Sequence, residues 1–129
     1  MMREEIKRLE GRELDAAVAE HVMGWERYGP PGFEYLGNPR TDPETDPDWS
    51  RVPRYSTDIA AAWQVVERMR ERGWTMRLYE WQKGGSTACF FRHNGRLEEH
   101  WASGRNPAEA ISRAALLAVC GEENRNADA

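Results

Sequence analysis

The side chains able to do chemistry are few in this chain of 129 residues. Cys89 and His100 flank the pair Asn94-Gly95. That dipeptide favours a two-residue hairpin turn, because both residues tolerate positive φ. Such a turn sets Cys89 opposite His100 and Phe91 opposite Glu98, and a thiol beside an imidazole pairs a nucleophile with its base. Nothing in the pattern orients the imidazole and no oxyanion loop follows. The pair therefore reads as a small buried cysteine next to a half-buried histidine, and no catalytic residue is assigned. Asp42, Glu44, Asp46 and Asp48 offer oxygens at alternate positions, as in the first half of a calcium loop. Pro43 and Pro47 interrupt them, the central glycine is missing and no glutamate closes the loop, which leaves a solvated acidic segment. His21, His93 and His100 lack metal-ligand spacing. Gly84-Gly85-Ser86-Thr87 lacks the lysine of a phosphate loop and does not open a helix, so it reads as a hairpin turn. These patterns point to no metal and no cofactor.

The stronger signal is aromatic and basic. Six tryptophans and four tyrosines are many for this length. Several lie in or beside residues 24–56, with Arg27, Arg40, Arg51 and Arg54; Arg77, Arg92 and Arg105 follow. Aromatic faces stack on bases and guanidinium forks grip phosphates. The same residues also suit a packed loop or a subunit interface. The candidate binding set is Trp49, Arg51, Arg54, Tyr55, Ser56 and Asp58, where segment 24–56 meets the start of a helix. A helix N-terminus offers unpaired N–H groups and a positive dipole end. Arg51 and Arg54 add charge, and Trp49 and Tyr55 add rings. Asp58 opposes a phosphate there and suits a ribose hydroxyl instead.

These residues must be positioned by a small set of elements. Residues 2–23 read as a helix with a weak point at Gly11; Leu14, Val18, His21, Val22 and Trp25 fall on one face, and Gly24 stops it. Residues 24–56 carry six prolines and no sustained period, so neither a helix nor a central strand runs through them. Their aromatics mark an ordered loop packed on the domain rather than a disordered linker. A second helix over 57–72 has Ser56 as N-cap, Gly73 as its end and Ile59, Ala62, Trp63, Val66 and Met69 as its apolar stripe. Strands are expected over 74–81, 87–93 and 96–103. A last helix opens at Asn106 as N-cap with Pro107 at its first position and Glu109 completing a capping box. It stops at Gly121, leaving 122–129 as a frayed tail after a single domain over 1–121.

Large apolar groups occupy both sides of the three strands: Ala88, Phe90 and Trp101 share one face, and Tyr79 and Trp81 lie opposite Met76 and Leu78. A sheet with one wet face alternates more cleanly. The expected fold is therefore α+β, an α/β/α sandwich: a three-stranded antiparallel sheet with helices on both faces and a long Pro/Gly-rich loop after the first helix. A double-stranded RNA-binding domain shares the α-β-β-β-α order but needs lysines where Asn106-Pro107-Ala108-Glu109 stands. The net charge of −4 has the wrong sign for that role, or for coating any long nucleic acid. With 40% hydrophobic and 31% charged residues the composition is that of one globular domain. No apolar run approaches the ~20 residues of a membrane span, and Met1-Met2-Arg3-Glu4-Glu5 is no secretory signal. Cys89 and Cys120 form no Cys-x-x-Cys pair, as expected of a reduced cytosolic chain.

Gly11-Arg12-Glu13-Leu14-Asp15 with Val22-Met23-Gly24-Trp25 resembles the start of the phage ABA-sandwich family of small phage and prophage proteins. Val52-Pro53-Arg54-Tyr55-Ser56-Thr57-Asp58-Ile59-Ala60-Ala61-Ala62-Trp63 resembles it further, and Ala108-Glu109-Ala110-Ile111-Ser112-Arg113-Ala114-Ala115-Leu116-Leu117 is similar to its last helix. The resemblance covers most of 11–119 and implies a phage-encoded accessory protein with an α/β/α sandwich; it brings no catalytic residue. Two functions follow. The first is a non-enzymatic binder of a small anionic, nucleotide-derived ligand, sequestering a host defence signal in the cytoplasm of the bacterial host. The alternative is a protein-interaction module that blocks or recruits a host or phage protein. A homo-oligomer is expected, because the aromatics exceed what one core of this size hides. No membrane partner and no long nucleic acid is expected.

Overall fold

A computed structural model of the chain describes residues 1–128, with side chains to Glu122. The chain opens with two helices rather than one. Helix α1 (Arg3–Arg8) has Glu4 and Glu5 in its first turn and Lys7 and Arg8 in its last, matching the helix dipole at both ends. The chain extends through Leu9 and Glu10, and α2 (Gly11–His21) starts at Gly11, whose φ of +58° only glycine adopts without strain. Leu14, Val18, Val22 and Trp25 are buried as the spacing predicts, and Asp15 is buried among them.

Segment 24–56 contains a ribbon that its prolines concealed. Strand β1 (Glu26–Tyr28) pairs antiparallel with β2 (Tyr35–Gly37) around the Pro30-Pro31-Gly32 turn. Helix α3 (Ile59–Glu71) follows. Its cap differs from expectation: the Asp58 side chain, not Ser56, accepts from the Ala60 N–H at 2.9 Å. Its inner face is Ala61, Ala62, Val65, Val66 and Met69, while Ile59 and Trp63 lie at the surface. Small side chains let α3 approach its neighbour closely, and a tryptophan on that seam would hold the helices apart. Trp63 sits outside, 5.6 Å from the Arg70 guanidinium. Gly73, at φ +89°, turns the chain so that Trp74 N–H donates back to Met69 O at 3.0 Å.

Strands β3 (Thr75–Glu80), β4 (Ser86–His93) and β5 (Leu97–Gly104) form an antiparallel sheet in that order. The register of β4 and β5 is one residue from the expected one. His93 pairs with Leu97, so three residues connect the strands, with Gly95 at φ +81° and Asn94 N–H donating to Arg96 O. Because side chains alternate, that single residue swaps every predicted cross-strand neighbour. Cys89 lies opposite Trp101, Phe90 opposite His100 and Phe91 opposite Glu99.

Helix α4 (Pro107–Asp128) begins as predicted, with Asn106 Oδ1 accepting from Glu109 N–H at 2.9 Å. It does not stop at Gly121. That glycine lies inside the helix, where a Cβ would come within 3.2 Å of His100, so its lack of a side chain serves close packing rather than a turn. Ala108, Ala110, Ile111, Ala114, Ala115, Leu116, Leu117, Ala118, Val119 and Cys120 are all buried. A helix apolar all round belongs at the centre of a fold. Here α4 lies between the sheet on one side and α1, α2 and α3 on the other. The α+β class and the three-stranded antiparallel sheet follow expectation; the helices among the described residues are four rather than the expected three, because the first divides before Gly11. The expected helical cover is supplied by α4 on the face of Met76, Leu78, Ala88, Phe90 and Ala102. The opposite face carries Tyr79, Trp101 and Leu97 at the surface of the chain.

Candidate functional site

Of the six predicted site residues, the structure brings Arg51 and Arg54 together. They line an open recess of about 540 Å³ with Arg12, Asp48, Val52 and Pro53. Arg12, from α2, is its fixed element. One guanidinium nitrogen donates to Asp15 Oδ2 at 2.9 Å, and the other to Val52 O at 2.7 Å. Arg51 makes a loose, exposed ion pair with Asp48 at 3.7 Å. Among the described residues no hydrogen bond or ion pair engages the Arg54 guanidinium.

The other four predicted residues lie elsewhere. Trp49 packs edge-on against Tyr28 and Tyr35, with ring centroids 5.3 and 5.9 Å away, and its ring fills the space that a Cβ on Gly37 would need. It locks the β1–β2 ribbon to the rest of the segment. Tyr55 and Ser56 are core residues, each 1% exposed. Ser56 N–H donates to Asp15 Oδ1 at 2.7 Å, and Tyr55 O accepts from Ser112 Oγ at 2.9 Å. Asp58 caps α3, so its carboxylate occupies the helix end proposed for an anion. Sequence reasoning missed Arg12 and Asp15. Their signal was a charged residue within the apolar face of α2, directly after Leu14.

Cys89 and His100 project from opposite faces of the sheet, which removes the dyad. Cys89 is buried, and burial is the main cause that pushes its thiol pKa up, away from a nucleophile's requirement. His100 instead meets Glu98 Oε2 at 2.9 Å. Glu98 also accepts from Arg92, which pairs with Glu122 at 2.7 Å and lies 4.1 Å from the Trp74 ring centroid. This network ties β4, β5 and α4 together. In the acidic segment, Asp42 and Asp46 each accept the backbone N–H two residues on, at 2.9 Å, and so close their own turns. Among the described residues no group of three or more His, Cys, Asp or Glu side chains is placed to hold a metal ion. A groove of about 450 Å³ between α2 and the ribbon is clamped by Arg27, which donates to both Glu20 oxygens at 2.8 and 3.0 Å. The Arg27 hydrogen bond holds the Glu20 carboxyl below its ordinary pKa.

The sequence matches the family model of the phage ABA sandwich domain over residues 16–116, most of the chain. The chain belongs to that family. Comparison with curated proteins and with solved structures gives no match. The α/β/α-like class of the phage ABA sandwich domain agrees with the sheet and helices described above. No helix among the described residues is long and apolar enough to cross a membrane.

Tyr55 gives this sandwich domain a measurable alkaline signature. Burial, reinforced by the Asp15 carboxylate, pushes its phenol up to about 12. The unfolded phenol ionises near 10. Below about pH 10 both states are neutral and the burial is fully stabilising. Between about pH 10 and 12 the unfolded chain loses its proton first, so stability falls as pH rises, by about 2–3 kcal/mol across the window. Urea melts at stepped alkaline pH are expected to show this decline in the parent and a shallower one in Tyr55→Phe.

Proposed function

We propose that this chain is a phage-encoded, non-enzymatic binding protein that holds a small phosphate-bearing, nucleotide-derived ligand in the recess of Arg12, Arg51 and Arg54. The observation that carries the reading is the Arg54 guanidinium, without a partner among the described residues, in a recess that two further arginines line. Charge-assisted bonds from arginine to phosphate are strong and geometrically specific. The volume lies in the range of small-molecule sites. Arg12 occupies the Val52 carbonyl, so the recess presents donors more than acceptors. Trp49 and Tyr55 do not line it, so recognition rests on the phosphate end rather than on stacking. In the cytoplasm of a bacterial host such a protein would sequester a defence signal by affinity alone, which requires no acid–base machinery.

The test is to incubate the purified protein with nucleotide extract, denature it and identify what is released by mass spectrometry. An intact nucleotide supports sequestration, an altered one indicates an enzyme, and nothing bound favours an interaction module. With the ligand in hand, Arg54→Ala is expected to weaken binding about ten- to hundredfold by calorimetry, with an unchanged melting curve. Equal affinity in parent and variant would move the site off the recess. The reading as a module that blocks or recruits a host or phage protein has one specific observation in its favour, the aromatic sheet face that α4 leaves uncovered.

A further inference from the structure

We propose that a second copy of this chain covers that open sheet face, the two sheets packing face to face about a two-fold axis parallel to their strands. The face is large and apolar at its centre. Tyr79, Trp81, Leu97 and Trp101 are 42, 56, 48 and 41% exposed. Contiguous exposed aromatics of this kind mark interfaces in soluble proteins. The rings are already arranged: Tyr79 lies nearly parallel to Trp81 and to Trp101, at 5.9 and 6.1 Å between centroids. The two indole N–H groups are already satisfied within the chain. Trp81 Nε1 donates to Thr87 Oγ1 at 2.9 Å, Trp101 Nε1 donates to Glu99 Oε2 at 2.6 Å, and the Thr87 and Ser103 hydroxyls bond each other at 3.2 Å. Apolar surface can therefore close over both tryptophans without stranding an indole donor, which is the main cost of burying tryptophan; the Tyr79 hydroxyl keeps its partner in water at the rim or finds one on the facing copy.

The charges on the face choose the occupant. Arg77 lies on β3 and Glu99 on β5, the two edges of the sheet, and both point to the open side. Arg77 is held over the Phe91 ring at 4.6 Å, and Glu99 by its bond to Trp101. A face with one sign of charge would suit an oppositely charged partner. This face has one of each sign, on opposite edges of an aromatic centre. A two-fold axis parallel to the strands lays β3 of one copy over β5 of the other. The Arg77 backbone is level with Trp101, but its guanidinium leans over Phe91, the residue paired with Glu99, so each Arg77 side chain reaches towards the Glu99 of the other copy and the pairing is reciprocal. Three strands about 4.8 Å apart and roughly 24 Å long give a footprint of about 350 Å². With side-chain relief, both copies together lose on the order of 1,000 Å² of accessible surface, where specific interfaces begin. The paired sheets would stand about 10 Å apart, as in other sheet-on-sheet packings.

The test is the mass of the full chain by sedimentation or light scattering, from about 1 to 200 μM, because dimerisation follows mass action. A dimer is expected at the upper end. Arg77→Glu and Glu99→Arg are each expected to weaken it at least tenfold, and the two together to restore it; melting curves show that each variant folds. The recess lies apart from this face, so Arg54→Ala is expected to leave the mass unchanged. A monomer at every concentration would overturn the proposal and leave the face to a different partner. A dimer insensitive to Arg77→Glu and Glu99→Arg, or one the double swap fails to restore, would overturn it equally.

Discussion

Ile111→Asp is expected to cost several kcal/mol of stability and to leave much of the protein unfolded at temperatures where the parent is folded. Ile111 is fully buried in the first half of α4, the helix that the sheet and three other helices all pack against. A carboxylate placed there has no counter-ion and no water, and burying it unpaired costs several kcal/mol. A domain of this size has about 5–15 kcal/mol in total. Ile111→Val, which removes one methyl and no polarity balance, is expected to cost only about 0.5–1.5 kcal/mol. Urea unfolding of both variants separates the charge from the lost volume. The charge component also has a pH signature. The introduced group has a folded-state pKa above its unfolded value, so its penalty shrinks as pH falls towards the ordinary aspartate value near 4. A penalty within about 1 kcal/mol of that of Ile111→Val at neutral pH would mean that this part of α4 is open to water.

The central role of α4 was only half legible in the sequence. Its start was explicit, because Asn106, Pro107 and Glu109 satisfy a chemical need that helix ends always have. Its position between two layers was not, because a run of alanines and leucines has no polar face from which an orientation could be read. The α3 stripe failed for a related reason. Ile59 and Trp63 have the right spacing, but the tightness of the α3–α4 contact selects Ala61 and Val65, and contact distance is a property of two elements rather than one. The β4–β5 register turned on a single residue. Asn94-Gly95 correctly marked the hairpin, yet Arg96 joined the connection, which moved Trp101 to the face of Cys89 and parted Cys89 from His100. The open aromatic face follows from that same step.

The candidate site was legible where residues are close in sequence and invisible where they are not. Arg51 and Arg54 were found because a short charged stretch precedes a helix. Tyr55 and Ser56 were placed with them by proximity, but the chain turns after Arg54, whose carbonyl accepts from Thr57 and Asp58 N–H, and the turn carries both residues into the core. Arg12 and Asp15 come from some forty positions earlier, and no local pattern joins them to residues 51–54.

Asp15→Ala is the substitution that tests this long-range connection, and it is expected to cost about 2–4 kcal/mol. The Asp15 carboxylate is 1% exposed and accepts from Ser56 N–H at 2.7 Å and from Arg12 at 2.9 Å. Alanine leaves a buried N–H without a partner, a loss of about 1–3 kcal/mol. It also releases Arg12, and because that side chain is about half exposed, solvent screening keeps its share of the loss small. Asp15→Asn retains an oxygen for Ser56 and loses only the charge opposite Arg12, so it is expected to be milder, about 1–2 kcal/mol. The functional consequence follows from what Arg12 does next. Oriented by Asp15, it holds Val52 O at 2.7 Å and so fixes the wall from which Arg51 and Arg54 project. Under the proposed function, Asp15→Asn is expected to weaken ligand binding while both recess arginines remain in place and the protein stays folded. Urea melts and calorimetric titrations of the same preparations measure the two effects side by side. If Asp15→Asn lowers neither stability nor affinity, the segment is held by its own turns and the ribbon, and α2 plays no part in shaping the recess.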